Sequence, residues 1–256
     1  NYVISRYFKD IINSKSPDWI QKKLLSIGLR PINSLVDITN FITIDIGRPL
    51  HVFDADKIGT RLNMRNANDG EKIFALDKKE YQLDSTITII ADKNNPLAIA
   101  GIMGGSETGC IDTTKNVFLE VALFDSSKVA KTGRKLGINS DARYRFERGL
   151  DKEMIEEGLE YASYLINKIC GGSVSKNTSA GNLDKNIHVI DYNFNYFEKV
   201  IGLHLSSEDQ IKTLKSLLFK INKITDKSCN VDVPSWRNDV TKPIDLVEEI
   251  IRIQGY

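Results

Sequence analysis

The 256-residue chain has no long apolar run, few cysteines and no excess of either charge. No stretch approaches the ~20 apolar residues that a membrane-spanning helix requires, and the N-terminus lacks the basic-then-apolar layout of a secretion signal. We therefore expect a cytoplasmic protein with no membrane partner. Hydrophobic residues make up 41% of the chain, which excludes intrinsic disorder.

Only three cysteines are present, Cys110, Cys170 and Cys229, and their number is odd. They lie far apart, and none belongs to the C-x-x-C spacing of a zinc site or redox pair, so we interpret them as reduced packing residues. The chain begins at Asn1 rather than Met and stops just after an amphipathic run. We expect a piece of a longer protein.

The length and the hydrophobic periodicity together predict two domains. Dividing 256 residues by ~150 per domain favours one large and one small domain, or two of middling size. Caps, apolar spacing and terminal glycines predict helices over 17–27, 34–47 and 151–170. Alternating or β-branched runs predict strands over 61–67, 86–91 and 117–124.

A polar stretch rich in Ser, Asn, Gly and Lys, 173–186, has the composition of a linker. Beyond it, the pattern predicts a strand over 187–192, three helices (ending at Gly202, beginning at Ser206 and beginning at Pro243), and a strand over 229–235. The fold class is thus α+β, with a large mixed α/β domain over 1–185 and a small winged-helix-like domain over 186–256.

Glu120 interrupts the apolar strand pattern VFLEVALF. An unpaired buried carboxylate is very costly, so this residue either reaches solvent at a sheet edge or has a partner. It could be held by an internal salt bridge, or it could face an aromatic-lined pocket and receive a ligand's hydrogen-bond donor.

His51 follows a Gly–Pro turn in GRPLHVFD and has acids nearby. It is either structural or a hydrogen-bonding or general-base imidazole. The Gly104–Gly105 pair matches neither common phosphate-binding loop. Such glycines form a tight turn or let backbone N–H groups approach a ligand.

Charge is unevenly distributed along the chain. The basic belt, defined here as the seven bases between residues 125 and 148, outweighs three acids and is interspersed with Tyr144 and Phe146. It is either a solvated face or a surface for single-stranded RNA ends. Its members are Lys128, Lys131, Arg134, Lys135, Arg143, Arg145 and Arg148.

An acidic cluster stands near the C-terminus and comprises Asp239, Asp245, Glu248 and Glu249. The last three lie at i, i+3 and i+4, so their carboxylates share one helix face and repel. Helix capping, a divalent cation or a basic partner surface would each relieve that repulsion.

Six ordered motifs are similar to the β subunits of bacterial phenylalanine–tRNA ligases: RPINSLVDITNF, GRPLHVFD, AGIMGG, FLEVALF, SDARYRFERGLD and PSWRNDVTKPIDLVEEIIRIQGY. The resemblance spans essentially the whole chain. It implies the editing module and the small module after it. The full subunit would join an α subunit in an (αβ)₂ heterotetramer that charges tRNA-Phe, using ATP and Mg²⁺.

The resemblance implies that residues 1–185 hydrolyse tyrosine wrongly attached to tRNA-Phe and need no cofactor. A synthetic pocket shaped for an aromatic ring discriminates against an isostere with one added hydroxyl by a factor of only roughly 10². A second site must therefore remove the tyrosine that is attached in error. Glu120 would bind the tyrosine hydroxyl, while Gly104 and Ala142 line the space beside the substrate. Catalytic positioning of the ester and a water falls to the residues Thr39, Asn40 and His51.

The family's magnesium-associated carboxylates match Asp239, Asp245, Glu248 and Glu249, in a site shared with the α subunit. In this chain alone we expect weak metal binding or none. Arg143 stands where the family usually has serine, and it could alter the pocket rim or contact an RNA phosphate. The alternative function is a non-catalytic scaffold that docks tRNA and the α subunit.

Overall fold

A computed structural model describes residues 1–59, 61–184 and 186–256. The chain divides into two compact units, Asn1–Leu183 and Asp184–Tyr256. Each combines helices with antiparallel sheets, so the predicted α+β class is confirmed. Among the described residues, no helix has both the length and the apolar character needed to cross a membrane.

The first unit is built around a five-stranded antiparallel sheet. Its central strands, β1 and β9, pair over seven residues, and β2 pairs with the other edge of β9. The strands of this sheet are β1 (Tyr2–Lys9), β2 (His51–Asp54), β9 (Val117–Leu123), β10 (Ser173–Val174) and β11 (Thr178–Gly181). The short strands β10 and β11 both pair with β1.

Three helices cover one face of this sheet and bury an apolar core against it. They are α1 (Asp18–Ser26), α2 (Ser34–Asp45) and α5 (Met154–Cys170). The Asn33 side chain caps α2 by accepting from Val36 N at 3.1 Å. The expected cap on α1 is not formed, because the Ser16 hydroxyl donates to Asp37 Oδ2 at 2.5 Å.

A four-stranded sheet and a hairpin form the second layer of this unit. The four-stranded order is β3-β6-β7-β8, and β4 pairs with β5. Their bounds are β3 (Asn63–Asn66), β4 (Lys72–Phe74), β5 (Glu80–Gln82), β6 (Thr88–Ala91), β7 (Pro96–Ile99) and β8 (Met103–Gly104). A 3₁₀ turn, Ala55–Lys57, follows β2.

Helices α3 (Ser126–Leu136) and α4 (Asp141–Phe146) pack on the four-stranded sheet through a shared core. Helix α3 is capped by Asp125, which accepts from Lys128 N at 2.9 Å, and it ends at Gly137 with φ +66°. Helix α4 is capped by Ser140.

The second unit has a three-stranded antiparallel sheet, in the order β12-β14-β13, and three helices around a core of its own. Its elements are β12 (Val189–Asn193), α6 (Asn195–Ile201), α7 (Ser207–Ser216), β13 (Lys220–Asn222), β14 (Ser228–Asp232) and α8 (Pro243–Gln254). The sequence predicted only a strand pair here, because β13 has only three residues, too few to show a period of two.

The predicted linker, 173–186, is corrected by the structure in part. Its Ser173–Val174 and Thr178–Gly181 segments hydrogen-bond to β1 as strands, although their side chains are exposed. Lys185, at the end of the predicted first domain, lies outside the described residues. An exposed edge strand buries little apolar surface, so its residues can be polar. Its composition then resembles that of a linker.

Candidate functional site

A cavity of about 300 Å³ lies in the first unit between the two sheets and α4. That volume is at the lower end of small-molecule sites. Its walls are mostly apolar, and several are alanines: Ala98, Ala100, Ala122 and Ala142. Five of the six editing-site residues predicted from the sequence line it: Asn40, His51, Gly104, Glu120 and Ala142.

Glu120 lies on the central strand β9 and is 6% exposed. Its carboxylate has no hydrogen-bond or ion-pair partner in the described ranges. Loss of water around the group raises its pKa from 4.5 to about 7. Of the alternatives left open by the sequence, edge exposure and an internal salt bridge are therefore excluded within the described part of the chain.

His51 lies directly opposite Glu120, because the two residues are paired in the β2–β9 register. Facing residues of an antiparallel pair project on the same side of a sheet. Burial lowers the His51 pKa to about 4, so its imidazole is neutral at pH 7. Its Nε2 atom is buried without a hydrogen-bond partner among the described residues, and its ring packs edge-on against Phe53 at 4.4 Å between centroids.

The absence of a side chain at Gly104 leaves room for the His51 ring. A Cβ atom at position 104 would lie 2.5 Å from Cε1 and 2.9 Å from Nε2 of His51. The backbone of Gly104 accepts a hydrogen bond from Leu76 N at 3.0 Å. This glycine is required by close packing of its neighbour rather than by its backbone torsion angles.

Helix α4 closes another wall with Ala142. Ser140, which the sequence analysis did not single out, also lines the cavity and fixes this helix. Its Oγ accepts from Arg143 N at 3.1 Å and donates to Ile102 O at 2.6 Å. The SDARYRF motif contained a helix-capping signal at this serine that the sequence analysis did not use.

The structure does not bring Thr39 to the cavity with the other predicted residues. Thr39 is 8% exposed and its hydroxyl donates to Val36 O, one turn back in α2, at 2.8 Å. Asn40, the next residue, does line the cavity. Successive helix positions point about 100° apart, so only one of the two faces the site.

Arg48 is a second residue that the sequence analysis did not assign. It is 1% exposed, and its guanidinium donates to Ala122 O at 3.4 Å and to Asp151 O. Burial lowers its pKa to about 10, so it stays charged at pH 7. Gly158 makes room, because a Cβ there would lie 2.9 Å from Arg48 Cγ. Arg48 thus ties the cavity strand β9 to the chain before α5.

The acidic cluster of the second unit is held by cations of the chain itself. The Arg237 guanidinium bonds to Asp239 at 2.6 Å and to Glu249 at 2.8 Å, and Arg252 bonds to Glu249 at 2.6 Å. These contacts lower the pKa of both carboxyl groups. Asp245 caps α8 instead, accepting from the backbone N–H groups of residues 241 and 242 at 2.7 and 2.8 Å.

As arranged here, these carboxylates do not fit a magnesium ion. Arginine nitrogens already occupy the oxygens of Asp239 and Glu249, and Asp245 is used as a helix cap. Glu248 is exposed. The described residues contain no group of three or more His, Cys, Asp or Glu that could hold a metal ion. Helix capping and internal cations relieve the repulsion.

The basic belt separates into paired and unpaired members. Four of its bases are engaged by acids: Lys135 by Asp84, Arg143 and Arg148 by Glu147, and Arg145 by Asp141. Arg143 turns away from the cavity, since it also donates to Ile138 O at 2.6 Å and covers Gly133. Phe146 belongs to the core, whereas Tyr144 is exposed.

The three cysteines are free thiols, as expected, and Cys170 and Cys229 are buried.

Two family models match this chain, one in each unit. Residues 1–171 match the family model described as the B3/4 domain, and residues 190–256 match the tRNA synthetase B5 domain. The chain belongs to the B3/4 domain family, whose model covers the unit that contains the cavity.

The relatives are phenylalanine–tRNA ligase β subunits, which confirms the resemblance seen in the motifs. The proteins from Brucella suis biovar 1 and Nitrobacter winogradskyi are 48% and 47% identical over 250 residues, 98% of this chain. The chain spans 31% of the length of each. An N-terminal fragment of the phenylalanyl-tRNA synthetase β subunit from Pyrococcus horikoshii is 17% identical, with TM-score 0.44, covering 100% of this chain and 71% of that one.

Proposed function

We propose that the first unit hydrolyses tyrosine from mischarged tRNA-Phe and that the chain acts as part of a phenylalanine–tRNA ligase β subunit. One observation carries the proposal. A buried carboxylate, that of Glu120, faces a largely apolar cavity of about 300 Å³ and has no protein partner among the described residues. A phenol hydroxyl supplies the missing partner while its ring fills the apolar space.

This arrangement discriminates tyrosine from phenylalanine through the free energy lost when Glu120 is left without a hydrogen-bond partner. Phenylalanine would desolvate Glu120 without giving it a hydrogen bond, and an unsatisfied buried polar group costs about 1–3 kcal/mol, more when charged. Sites built to bond a substrate hydroxyl reject the analogue lacking it by about 10⁴–10⁵. The discrimination therefore favours hydrolysis of the wrong amino acid.

Hydrolysis needs a positioned water rather than a nucleophilic side chain, because an aminoacyl ester is already activated. The unpartnered Nε2 of His51 can hold that water or the ester end. A general base works best when its pKa lies near the operating pH. The low pKa of His51, about 4, favours an orienting role over proton abstraction. Asn40 faces the same cavity and orients the ester with it.

The whole subunit, in this proposal, assembles with an α subunit as an (αβ)₂ heterotetramer that charges tRNA-Phe with phenylalanine, using ATP and Mg²⁺. The support is the 47–48% identity to proteins named phenylalanine–tRNA ligase β subunit. The second unit would contribute its acidic helix α8 to the contact with the α subunit.

Deacylation of Tyr-tRNA-Phe and Phe-tRNA-Phe by this chain tests the proposal. The wild-type chain should release tyrosine at least tenfold faster than phenylalanine, and Glu120→Ala should abolish that preference. Glu107→Ala, which removes an exposed carboxylate of the same unit, is the matched control. If the wild-type chain leaves both esters intact and tyrosine does not bind in the cavity, the scaffold alternative replaces the proposal.

A further inference from the structure

The exposed side of α3 carries three cations that pair with no acid of the described residues. The side chains of Lys128, Lys131 and Arg134 are exposed, and none makes an ion pair or hydrogen bond within the described part of the chain. Their spacing, i, i+3 and i+6, places them within about 120° of one another around the helix. At 1.5 Å per residue they span about 9 Å along its axis.

The opposite side of α3 packs behind the cavity. Val129 is 3% exposed, and a Cβ at the cavity residue Gly101 would lie 3.0 Å from its Cγ2 atom. After α3 ends, four residues lead to α4, and the last of them, Ser140, anchors that turn to the cavity wall through Ile102 O. The cationic face is therefore separated from the cavity only by the thickness of one helix.

An aromatic ring and a guanidinium group stack on one another at α4, close to the cavity. Tyr144 on α4 is 57% exposed, and the Arg148 guanidinium lies 3.7 Å from the centroid of its ring. A depression beside it is lined by Ser140 and Tyr144 among others, so it shares Ser140 with the cavity. Unpaired bases of single-stranded RNA stack on aromatic rings and arginine planes.

We propose that the α3–α4 surface, defined by Lys128, Lys131, Arg134 and Tyr144, docks the single-stranded 3′ end of the RNA whose ester enters the cavity. The three cations contact successive phosphates, and a base near the ester stacks on Tyr144. The inference rests on the proposed function, since the occupant is an RNA that carries the ester. RNA is favoured over an acidic protein because the surface adds a stacking platform to its charge.

Binding of unacylated tRNA-Phe, measured by fluorescence anisotropy across a salt series, tests the surface. Lys131→Glu should weaken binding at least about fourfold at 0.15 M salt and reduce the salt slope by about 0.7, the effect of one lost contact to a single strand. Tyr144→Ala should weaken binding at least about fivefold. Circular dichroism should show both variants folded.

Two control variants isolate the surface. Lys22→Glu makes the same charge change at an exposed position of α1. Tyr164→Ala removes a ring that is also 57% exposed and also lies under an i+4 cation, Lys168. Both should bind tRNA as the wild type does. Equal losses in test and control variants would refute the proposal, as would the absence of wild-type binding at 50 mM salt.

Binding of free tyrosine, measured by calorimetry, separates this surface from the cavity. Lys131→Glu should bind tyrosine as the wild type does while losing affinity for tRNA. Selective loss of tRNA binding in a chain that never binds tyrosine would support the surface and reject the editing proposal. Normal tRNA binding by Lys131→Glu and Tyr144→Ala, with tyrosine bound in the cavity, would reject the surface alone.

Discussion

Replacing Glu120 with Gln removes a titrating group from the cavity while keeping the shape and one oxygen of the side chain. The folded protein holds the Glu120 pKa at about 7, against an ordinary value of 4.5, because burial disfavours the charged form. The folded state therefore binds this proton more tightly than the unfolded state. Stability contributed by the group is fully present below pH 4.5 and is lost as the pH rises to about 7.

The magnitude follows from the two pKa values. Their difference, about 2.5 at 1.36 kcal/mol for each, makes the ionised carboxylate cost about 3 kcal/mol above pH 7 and about 1 kcal/mol at pH 5. Glutamine does not titrate. The free energy of unfolding of Glu120→Gln, relative to wild type, should therefore rise by about 2 kcal/mol between pH 5 and pH 8.

Tryptophan fluorescence can report the urea unfolding of the first unit alone. The chain has two tryptophans, Trp19 in the first unit and Trp236 in the second. With Trp236→Phe as the background, Trp19 fluorescence reports only the unit that contains the cavity. Glu107→Gln, at an exposed carboxylate, should show no comparable pH dependence. A Glu120→Gln difference that stays constant from pH 5 to pH 8 would refute the assignment of an unpaired buried carboxylate.

Gly104→Ala should displace the His51 ring and slow deacylation. Gly109→Ala should not, because a Cβ there meets only ordinary contacts at 3.4 Å or more. Equal deacylation rates for the two variants would exclude the packing argument. His51→Ala should slow deacylation without changing the tyrosine preference. In a Glu120→Gln background, which removes the cavity carboxyl group whose pKa is about 7, the rate should show no step near pH 6.5, because the His51 pKa is about 4; such a step would indicate a titrating base. In the second unit, Arg237→Gln should lower the midpoint of urea unfolding more than Arg252→Gln does, since Arg237 bridges two carboxylates and Arg252 contacts one. A larger loss of stability in Arg252→Gln would contradict the bridging role.

Periodicity in the sequence located the long helices and the strands β3, β6 and β9 but misjudged their ends. Helix α5 begins at Met154 rather than at 151. Strand β1 was not anticipated, although its partners β9, β10 and β11 define the sheet. Its burial alternates in pairs rather than singly, which obscures the period of two on which strand recognition depends.

The cavity itself could be inferred only through motifs. Its predicted residues come from α2, β2, β8, β9 and α4, which are far apart in the sequence. Propensity and spacing describe neighbours along a chain, whereas pairing of His51 with Glu120 is set by the β2–β9 register. The resemblance supplied the residue set, and it could not show that the Thr39 hydroxyl bonds within its own helix.

The alanines in the cavity wall have a consequence for how selectivity can change. Ala98, Ala122 and Ala142 stand on β7, β9 and α4, so three different elements each contribute a small side chain to the cavity wall. Adding two methyl groups at any one of them would narrow the chamber while leaving the carboxylate in place. Under the proposed function, the size of the chamber and recognition of the hydroxyl are therefore adjustable independently, by substitutions at different positions.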